Sequence, residues 1–285
     1  DVYKRQAEFI VTLLKYSLSF CVPFLLTGLG ELIAERSGVM NLSCEGILLV
    51  SAVSSFLTAF ATGGNSYVGF AAGVLVGALY GLFLAYLAVK LRMSQVVAGM
   101  VLWILGIGLS ALIYRIVIGV RLTLPRVPVI KEVSVPILAK IPIIGEILFQ
   151  QNVIVYFALL LVCVEHIFLF RTTWGLKLRA VGENPLAADV LGISVEKVRS
   201  IAVVVGAAIT AIGGAYLPLA ETGTFTVGIS GGRGWIGIAL VIFGRWIPLY
   251  VLLGSLLFAT VEVLQYRLKI LGVAIPHQFL LMLPY

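Results

Sequence analysis

Long apolar stretches recur along this chain from one end to the other, and they constrain its fold more than any other feature. A helix needs about 20 predominantly apolar residues to cross a hydrocarbon core of roughly 30 Å. Segments such as VIVYFALLLVCV (153–164) are apolar all round, whereas the strands of a membrane barrel alternate over about 10 residues. The sequence therefore predicts an all-α fold, a polytopic transmembrane helical bundle.

Composition supports a membrane protein. Hydrophobic residues make up 61% of the chain and charged residues 12%, while a soluble domain carries about 25% charged residues. The net charge of +7 does not indicate nucleic acid, because an excess of Lys and Arg in such a chain marks loops on the cytoplasmic side. Cys21, Cys44 and Cys163 lie in or beside apolar segments without metal-like spacing, so we interpret them as small buried hydrophobic residues.

Hydropathy predicts about 8–9 spans. Candidate spans lie at about 8–29, 40–61, 67–89, 95–118, 152–170, 199–220 and 247–265, with a glycine-interrupted segment at 235–244 and a further one beginning near 276. The chain opens on the polar hexapeptide DVYKRQ and stops at LLMLPY within an apolar segment. We expect residues 1–6 to be non-native, residues 7–285 to form a single transmembrane domain, and the C-terminus to be truncated.

Basic loops predict the orientation of the bundle. The stretch 171–199 holds five basic and three acidic residues, and KLRMS (90–94) is also basic. Two spans separate these loops, so both lie on one side, which the positive-inside rule makes cytoplasmic. The loops near Arg36 and Gly244 then lie inside and the N-terminus outside. Residues 119–151 form an external loop, rich in Pro, Val and Ile, for which we expect short strands or an interfacial hairpin.

The cytoplasmic loop at 171–198 carries a helix signal. Asn184-Pro185 is a typical helix start, Leu186 to Leu191 supply about a turn and a half, and Gly192 ends it. A short helix between two turns is suited to docking on a partner protein. An ordinary structured loop is the alternative that spacing alone leaves open.

Two glycine-rich segments interrupt the hydrophobic pattern. They are GELIAERSGVMNLSCEGILLV (30–50) and ETGTFTVGISGGRGWIGIALVIFGRW (221–246). Each sets polar residues beside glycines and continues as an apolar helix, and Gly38 and Gly46 are expected to permit a bend in the first. Such segments in the two halves of a transporter point to broken helices around a midplane site, in a possible internal repeat.

Polar residues in these segments are candidates for a solute path. Glu45 lies inside a span, where an ionisable residue is by default a functional hypothesis; the alternative is a carboxylate that caps a broken helix. We expect Asn41 and Ser43 either to line the path or to form hydrogen bonds between helices. Two interpretations are open for Arg233 with Trp235. The pair either donates hydrogen bonds to the hydroxyls or base edges of a solute, or anchors the chain at the membrane interface.

Three stretches together resemble the permease subunits of ABC importers of the branched-chain amino acid and simple-sugar group, most closely its nucleoside and simple-sugar branch. They are residues 30–52, 179–193 and 230–246, and their order agrees over nearly the whole chain. The resemblance assigns a coupling helix to Pro185–Gly192. Ala187, Ala188 and Gly192 match the degenerate EAA-type motif of that loop, while Leu186 stands where a glutamate is often found.

The resemblance also implies residue roles and partners. Coupling to the ATPase would fall on Glu183, Asn184, Pro185, Ala187, Ala188 and Gly192. Trp103 stands where relatives often have asparagine, and it either stacks on a sugar or base ring or packs. A cytoplasmic ATPase would bind the ATP, a second permease, a paralogue, would complete the pore, and an extracytoplasmic binding protein would deliver solute. This chain would be neither an enzyme nor the holder of a cofactor, and the lack of a GxxxxGK[ST] loop in its sequence is consistent with ATP chemistry residing in the partner.

The main hypothesis is a multi-pass permease subunit in a bacterial inner membrane that forms the path for nucleosides or related sugar-containing solutes. Branched-chain amino acids are the alternative solute. A stand-alone ion-coupled transporter is the rival class, for which only Glu45 and Glu262 could serve at the midplane, and a channel would lack a charged selectivity ring.

Overall fold

The computed structural model describes residues 2–119, 124–134 and 144–270. The helices are α1 (Val2–Arg36), α2 (Cys44–Ala61), α3 (Ser66–Ala85), α4 (Gln95–Ile118), α5 (Ile144–Leu148), α6 (Val153–Arg171), α7 (Thr173–Glu183), α8 (Pro185–Val190), α9 (Val195–Tyr216), α10 (Arg233–Phe243) and α11 (Pro248–Ile270). Two π-helical turns, Tyr86–Lys90 and Leu217–Thr222, extend α3 and α9. Within the described ranges, seven helices are long and apolar enough to cross a membrane, namely α1, α2, α3, α4, α6, α9 and α11.

The predicted helical bundle is confirmed, and the count of 8–9 spans is approximate. The segment predicted at 235–244 is α10, which has only 11 residues. At 1.5 Å per residue it is about 16 Å long, roughly half of a hydrocarbon core. The segment predicted to begin near 276 lies outside the described residues, and the interpretation of residues 1–6 as non-native stays a prediction.

One end of the bundle gathers the loops for which the basic residues predict a common side. These are the segments 37–43, 91–94, 171–194 and 244–247, and we call this end the inner face. Three side-chain hydrogen bonds join them: Arg199 Nε to Ser37 O (3.1 Å), Gln95 Nε2 to Gly38 O (3.2 Å) and Arg36 Nη2 to Trp246 O (3.0 Å). The parity of the spans is therefore as predicted.

Glycines set the distances between helices. In α3 they recur every four residues, about one turn, at Gly69, Gly73, Gly77 and Gly81. A Cβ at Gly73 would stand 2.8 Å from Ser51 O of α2, and one at Gly81 would stand 2.1 Å from the Ala207 Cβ of α9. A larger residue does not fit in these places, so α3 packs closely against α2 and α9, as small-residue stripes allow in membranes.

The opposite end carries the strands that the sequence predicts. β1 (Glu132–Ser134) and β2 (Gln150–Asn152) pair antiparallel. Backbone hydrogen bonds from Val127 to Gly223 (2.9 Å) and from Ile130 to Leu219 (2.8 Å) attach this region to the end of α9. The outer loop therefore rests on the segment that leads into α10.

Two details differ from the sequence interpretation. Gly46 is not a bend, because it lies inside the regular helix α2 and lets α4 approach: a Cβ at Gly106 would stand 2.6 Å from the Gly46 Cα. The bend falls at Gly38, which has φ +86°. Cys163 is exposed on α6 rather than buried, whereas Cys21 and Cys44 are buried as expected.

Candidate functional site

The second glycine-rich segment folds into the bundle and starts a half-length helix inside it. After Thr222 the chain turns through Gly223, Gly228, Gly231 and Gly232, all with positive φ. Glycine adopts this conformation without steric penalty. The C-terminal end of α10 lies at the inner face, since Trp246 contacts Arg36 there. A helix of this length therefore begins near mid-depth, as expected for a broken helix at a transport site.

Glu45 of α2 caps α10. Its Oε1 accepts hydrogen bonds from Ser230 Oγ (2.6 Å) and Gly232 N (2.9 Å), and its Oε2 accepts one from Gly234 N (2.7 Å). A helix N-terminus leaves backbone N–H groups unpaired and carries partial positive charge, and a carboxylate satisfies both. The capping interpretation of Glu45 is confirmed.

The cap also brings the two glycine-rich segments together. A Cβ at Gly234 would stand 2.5 Å from the Cα and N atoms of Glu45, so a side chain at that position would force α2 and α10 apart. The segments differ in form, however. The first is a turn between two full spans, α1 and α2, whereas only the second produces a half-length helix.

Asn41 and Ser43 belong to a closed polar turn ahead of α2. Asn41 Oδ1 accepts from Ser43 N (3.0 Å) and Ser43 Oγ (2.6 Å). Glu31, fully buried in α1, accepts from Asn41 N at Oε1 (2.8 Å) and from Cys44 Sγ at Oε2 (3.4 Å). Both candidate residues are therefore occupied by local bonds in this structure, and their place in a solute path stays a prediction.

Arg233 is held by carboxylates. Its Nη1 and Nη2 donate to the two oxygens of Glu221 (both 3.1 Å), and Nη2 also donates to Glu262 Oε1 (2.9 Å). The guanidinium carbon lies 5.6 Å from the ring centres of both Phe20 and Phe24 of α1. This buried ion pair is a third arrangement beside the two that the sequence left open, and it ties α10 to the end of α9 and to α11.

Trp103 and Trp235 meet on the opposite side of α10. Their ring centres are 5.0 Å apart and the planes cross at 87°, an edge-to-face pair. Trp103 Nε1 is buried and has no hydrogen-bond partner among the described residues. The neighbouring backbone is close to the cap, because a Cβ at Gly46 would stand 3.1 Å from the Trp103 Cα.

The predicted path residues therefore divide into three groups. Asn41 and Ser43 lie in the turn ahead of α2. Glu45, Trp103 and Trp235 lie together where α2, α4 and α10 cross. Arg233 faces α1 and α11 instead, although only one residue separates it from Trp235. Sequence reasoning missed the roles of Glu31 and Glu221, and the only signal for either was a carboxylate at the end of an apolar helix.

The loop of the inner face presents a short capped helix. Asn184 Oδ1 accepts from Ala187 N (3.0 Å), and Pro185 occupies the first turn of α8. At the other end, Gly192 has φ +80°, with hydrogen bonds from Gly192 N to Asp189 O (2.8 Å) and from Ile193 N to Ala188 O (3.0 Å). This pair of bonds is a Schellman motif, which ends a helix at a left-handed glycine. The helix predicted at Pro185 to Gly192 is confirmed.

The tip of α8 is apolar and unprotected. Leu186 is 80% exposed, Val190 88% and Leu191 80%, whereas Ala188 is buried against the loop. Glu183, Asn184 and Ala187 are exposed beside them. Large apolar side chains presented together at the polar end of a bundle are typical of a protein–protein contact.

A multi-pass bundle with a half-length helix at mid-depth, and with a capped helix projecting from its basic face, defines a membrane transport subunit. A family model described as "Branched-chain amino acid transport system / permease component" matches residues 13–282. The chain belongs to this family of ABC transporter permeases. The family implies a partner ATPase, a substrate-binding protein and a surrounding membrane.

Curated relatives agree with this membership. The chain is 36% identical over 272 residues to the putative glucose ABC transporter permease protein of Haloferax volcanii, which covers 94% of this chain and 81% of the relative. It is 34% identical over 279 residues to the nucleoside ABC transporter permease protein of Lactococcus lactis and 31% identical over 280 residues to the guanosine ABC transporter permease protein of Bacillus subtilis, in both cases over 94% of this chain and 87% of the relative. No solved structure matches the chain.

Proposed function

We propose that this chain is the pore-forming subunit of an importer for nucleosides or related sugar-containing solutes in a bacterial cytoplasmic membrane. The names of the relatives support this solute class, since two are named for nucleoside or guanosine transport and one for glucose transport. The observation that carries the mechanism is the exposed apolar tip of α8. A separate ATPase binds the ATP and docks on this tip, while the chain itself holds no cofactor and catalyses no reaction.

In the proposed mechanism, closure of the ATPase pair pushes on α8. The force passes to the core by two routes, because α7 precedes α8 and α9 follows it. A Cβ at Gly182 of α7 would stand 2.3 Å from Arg36 O of α1, and Arg199 of α9 donates to Ser37 O (3.1 Å). Movement of the loop would therefore shift the turn that leads to Glu45 and its cap on α10.

The solute path runs beside the cap. Glu45, Trp103 and Trp235 lie at the crossing of α2, α4 and α10. The Trp103 indole N–H, which has no partner in the described part of the chain, and the two aromatic rings suit a solute that combines a ring with hydroxyl groups. A second permease completes the path on this side and a binding protein delivers the solute from outside. Asn41, Ser43 and Arg233 act on the path by holding the helices that line it.

The test is ATP-dependent uptake by the complete transporter in proteoliposomes. Leu186→Asp with Val190→Asp places charge on the docking tip, and we expect loss of uptake and of co-purifying ATPase. Lys177→Gln on α7 is the matched control, because it changes an exposed residue of the same loop away from the tip. Undiminished transport by the tip variant would refute the coupling role.

Branched-chain amino acids remain the second candidate solute, because the matched family carries them in its description. Uptake of leucine rather than uridine or glucose by the reconstituted transporter would favour this candidate. Transport by the chain without any ATPase would favour the ion-coupled rival instead.

A further inference from the structure

A cavity of about 390 Å³ opens at the inner face, apart from the crossing of α2, α4 and α10. Its walls come from three parts of the protein: the end of α1 with the turn after it, the start of α4, and α7 together with the turn after α10. The charged and hydrogen-bonding side chains of the lining are Glu35, Arg36, Gln95, Arg179, Glu183 and Trp246. Small-molecule sites have volumes of roughly 300–1,000 Å³, so the cavity has the size of a site for one small solute.

The charged groups of the wall are partly buried in the protein. Glu35 Oε1, Arg36 Nε and Arg179 Nε are buried and form no hydrogen bond among the described residues. They are three of eight such side-chain atoms in the described part of the chain. Glu35 lies beside Glu31, and the guanidinium carbons of Arg36 and Arg179 lie 5.9 and 5.2 Å from the centre of the Phe170 ring, so the protein itself holds these charged groups at the edge of the cavity.

Hydrogen bonds hold Trp246, Gln95 and parts of Glu35 and Arg36 in the wall. Trp246 Nε1 donates to Glu35 Oε2, and Arg36 Nη2 donates to Trp246 O (3.0 Å). Gln95 bridges the turn after α1, since it accepts from Met40 N (3.0 Å) and donates to Gly38 O (3.2 Å). The frame is therefore preorganised, which reduces the entropy lost when a ligand binds.

Charge selects the class of occupant. Two arginines, Arg36 and Arg179, face two carboxylates, Glu35 and Glu183, so the formal charges of the lining cancel. A phosphate or an ammonium ion would meet as much repulsion as attraction. A neutral molecule with many hydroxyl, carbonyl or N–H groups can accept from the arginines, donate to the carboxylates and lie against the Trp246 ring.

We propose that this cavity binds the transported solute class, a neutral ribose- or hexose-bearing molecule, from the inner side and that its occupancy slows ATP-driven transport. This inference rests on the proposed function for the identity of the solute. An occupant would tie α7, which carries the coupling helix, to α1 and to the turn after α10. That turn is held in a costly conformation, because Arg245 and Trp246 both have positive φ (51° and 55°).

Binding is tested by protection of a single cysteine in the complete transporter. Met40→Cys places a thiol on the exposed part of the wall, and Cys163→Ser removes the exposed native thiol. We expect uridine or glucose, whichever the wild-type transporter takes up, to slow maleimide labelling of the introduced thiol, and Arg179→Gln to abolish the protection. The proposal would be overturned if inorganic phosphate alone protects the thiol, or if neither uridine nor glucose protects it.

Inhibition is tested in proteoliposomes whose ATPase subunits face the bath, with binding protein and solute enclosed. Adding the same solute to the bath should lower the rates of ATP hydrolysis and of transport by roughly fivefold or more. Arg179→Gln should remove this inhibition, Arg179→Lys should retain part of it, and Lys177→Gln, outside the cavity, should retain all of it.

The two proposals fail in different ways. If no solute of the proposed class is transported, the proposed function fails and this inference fails with it. If transport proceeds at full rate with solute in the bath and the thiol of the Met40→Cys variant is not protected, only the inner site is refuted.

Discussion

At the scale of the residue, one carboxylate organises the centre of the molecule. Glu45 accepts hydrogen bonds from Ser230, Gly232 and Gly234 across a sequence distance of more than 180 residues. The same side chain would be expensive in lipid, by about 2.5 kcal/mol or more at the centre of a span. The hydrogen bonds from its partners offset this cost, and they fix where α10 begins.

Replacement of Glu45 tests this role. Glu45→Ala leaves three donors without their acceptor, and we expect the free energy of unfolding to fall by roughly 1–3 kcal/mol, with a loss of uptake. Glu45→Gln keeps a hydrogen-bond acceptor but no charge, so its free energy of unfolding should lie between those of the wild type and the Ala variant. Thermal unfolding in detergent measures the effect, with Ser54→Ala as control, because Ser54 Oγ bonds only within α2 (Val50 O, 2.7 Å). Equal stability of the Ala variant and this control would contradict the cap.

The ion pairs of Arg233 allow a double-mutant cycle. Arg233→Met leaves Glu221 and Glu262 without their shared partner, and breaking a buried pair in this way costs roughly 3–5 kcal/mol. Adding Glu221→Gln should recover part of the loss, because one of the stranded charges is then removed. Unfolding of the single and double variants measures the coupling. Additive losses would show that the pair contributes nothing of its own.

At the scale of the element, small residues decide which helices touch. The four glycines of α3 face α2 at one end and α9 at the other, and Gly30 of α1 meets Gly206 of α9, where a Cβ on either would stand 2.3 Å from the carbonyl oxygen of the other. Apolar helices in lipid gain no hydrophobic free energy when they associate, so close packing of their backbones supplies the attraction. These contacts position α9, which leads directly into the segment before α10.

A pair of alanine substitutions separates packing from helix propensity. Gly81→Ala would place a Cβ 2.1 Å from that of Ala207, and we expect a loss of roughly 1–3 kcal/mol from overpacking. Gly108→Ala in α4 meets nothing within 4 Å and should be neutral or stabilising by up to about 1 kcal/mol. Thermal unfolding in detergent measures both. The idea fails if the two variants shift stability in the same direction.

At the scale of the whole molecule, the inner face gathers the basic loops, the capped helix α8 and the cavity beside α7. The opposite end carries the β1–β2 pair and the chain that leads into α10. In the proposed function, the inner face meets the ATPase and the opposite end receives the solute.

The orientation can be measured with single cysteines in a Cys163→Ser background. Thr62→Cys, exposed between α2 and α3, should react with a membrane-impermeant maleimide added to intact cells. Lys177→Cys on α7 should react only after the membrane is opened, because positive-inside reasoning places α7 in the cytoplasm. Labelling of position 177 in intact cells would reverse the orientation.

The sequence by itself determined the class of fold, seven of the predicted spans and the capped helix α8. These depend on local features: the length of the apolar segments, the positions of glycine and proline at helix ends, and the balance of charge in short loops. The signal at 95–118 coincides with α4, and Asn184, Pro185 and Gly192 are the cap residues that the structure contains. The family resemblance rested on the same local stretches and was confirmed.

Only the tertiary structure decided the partners of the buried charges. Whether Glu45 faces a solute or caps a helix depends on where Gly232 and Gly234 lie, and no local pattern specifies a contact across that distance. Arg233 and Trp235 are two residues apart, yet one binds Glu221 and Glu262 while the other packs on Trp103, because successive positions of a helix point in different directions. A polar residue in a membrane must find a partner, and the packing of the whole bundle selects it.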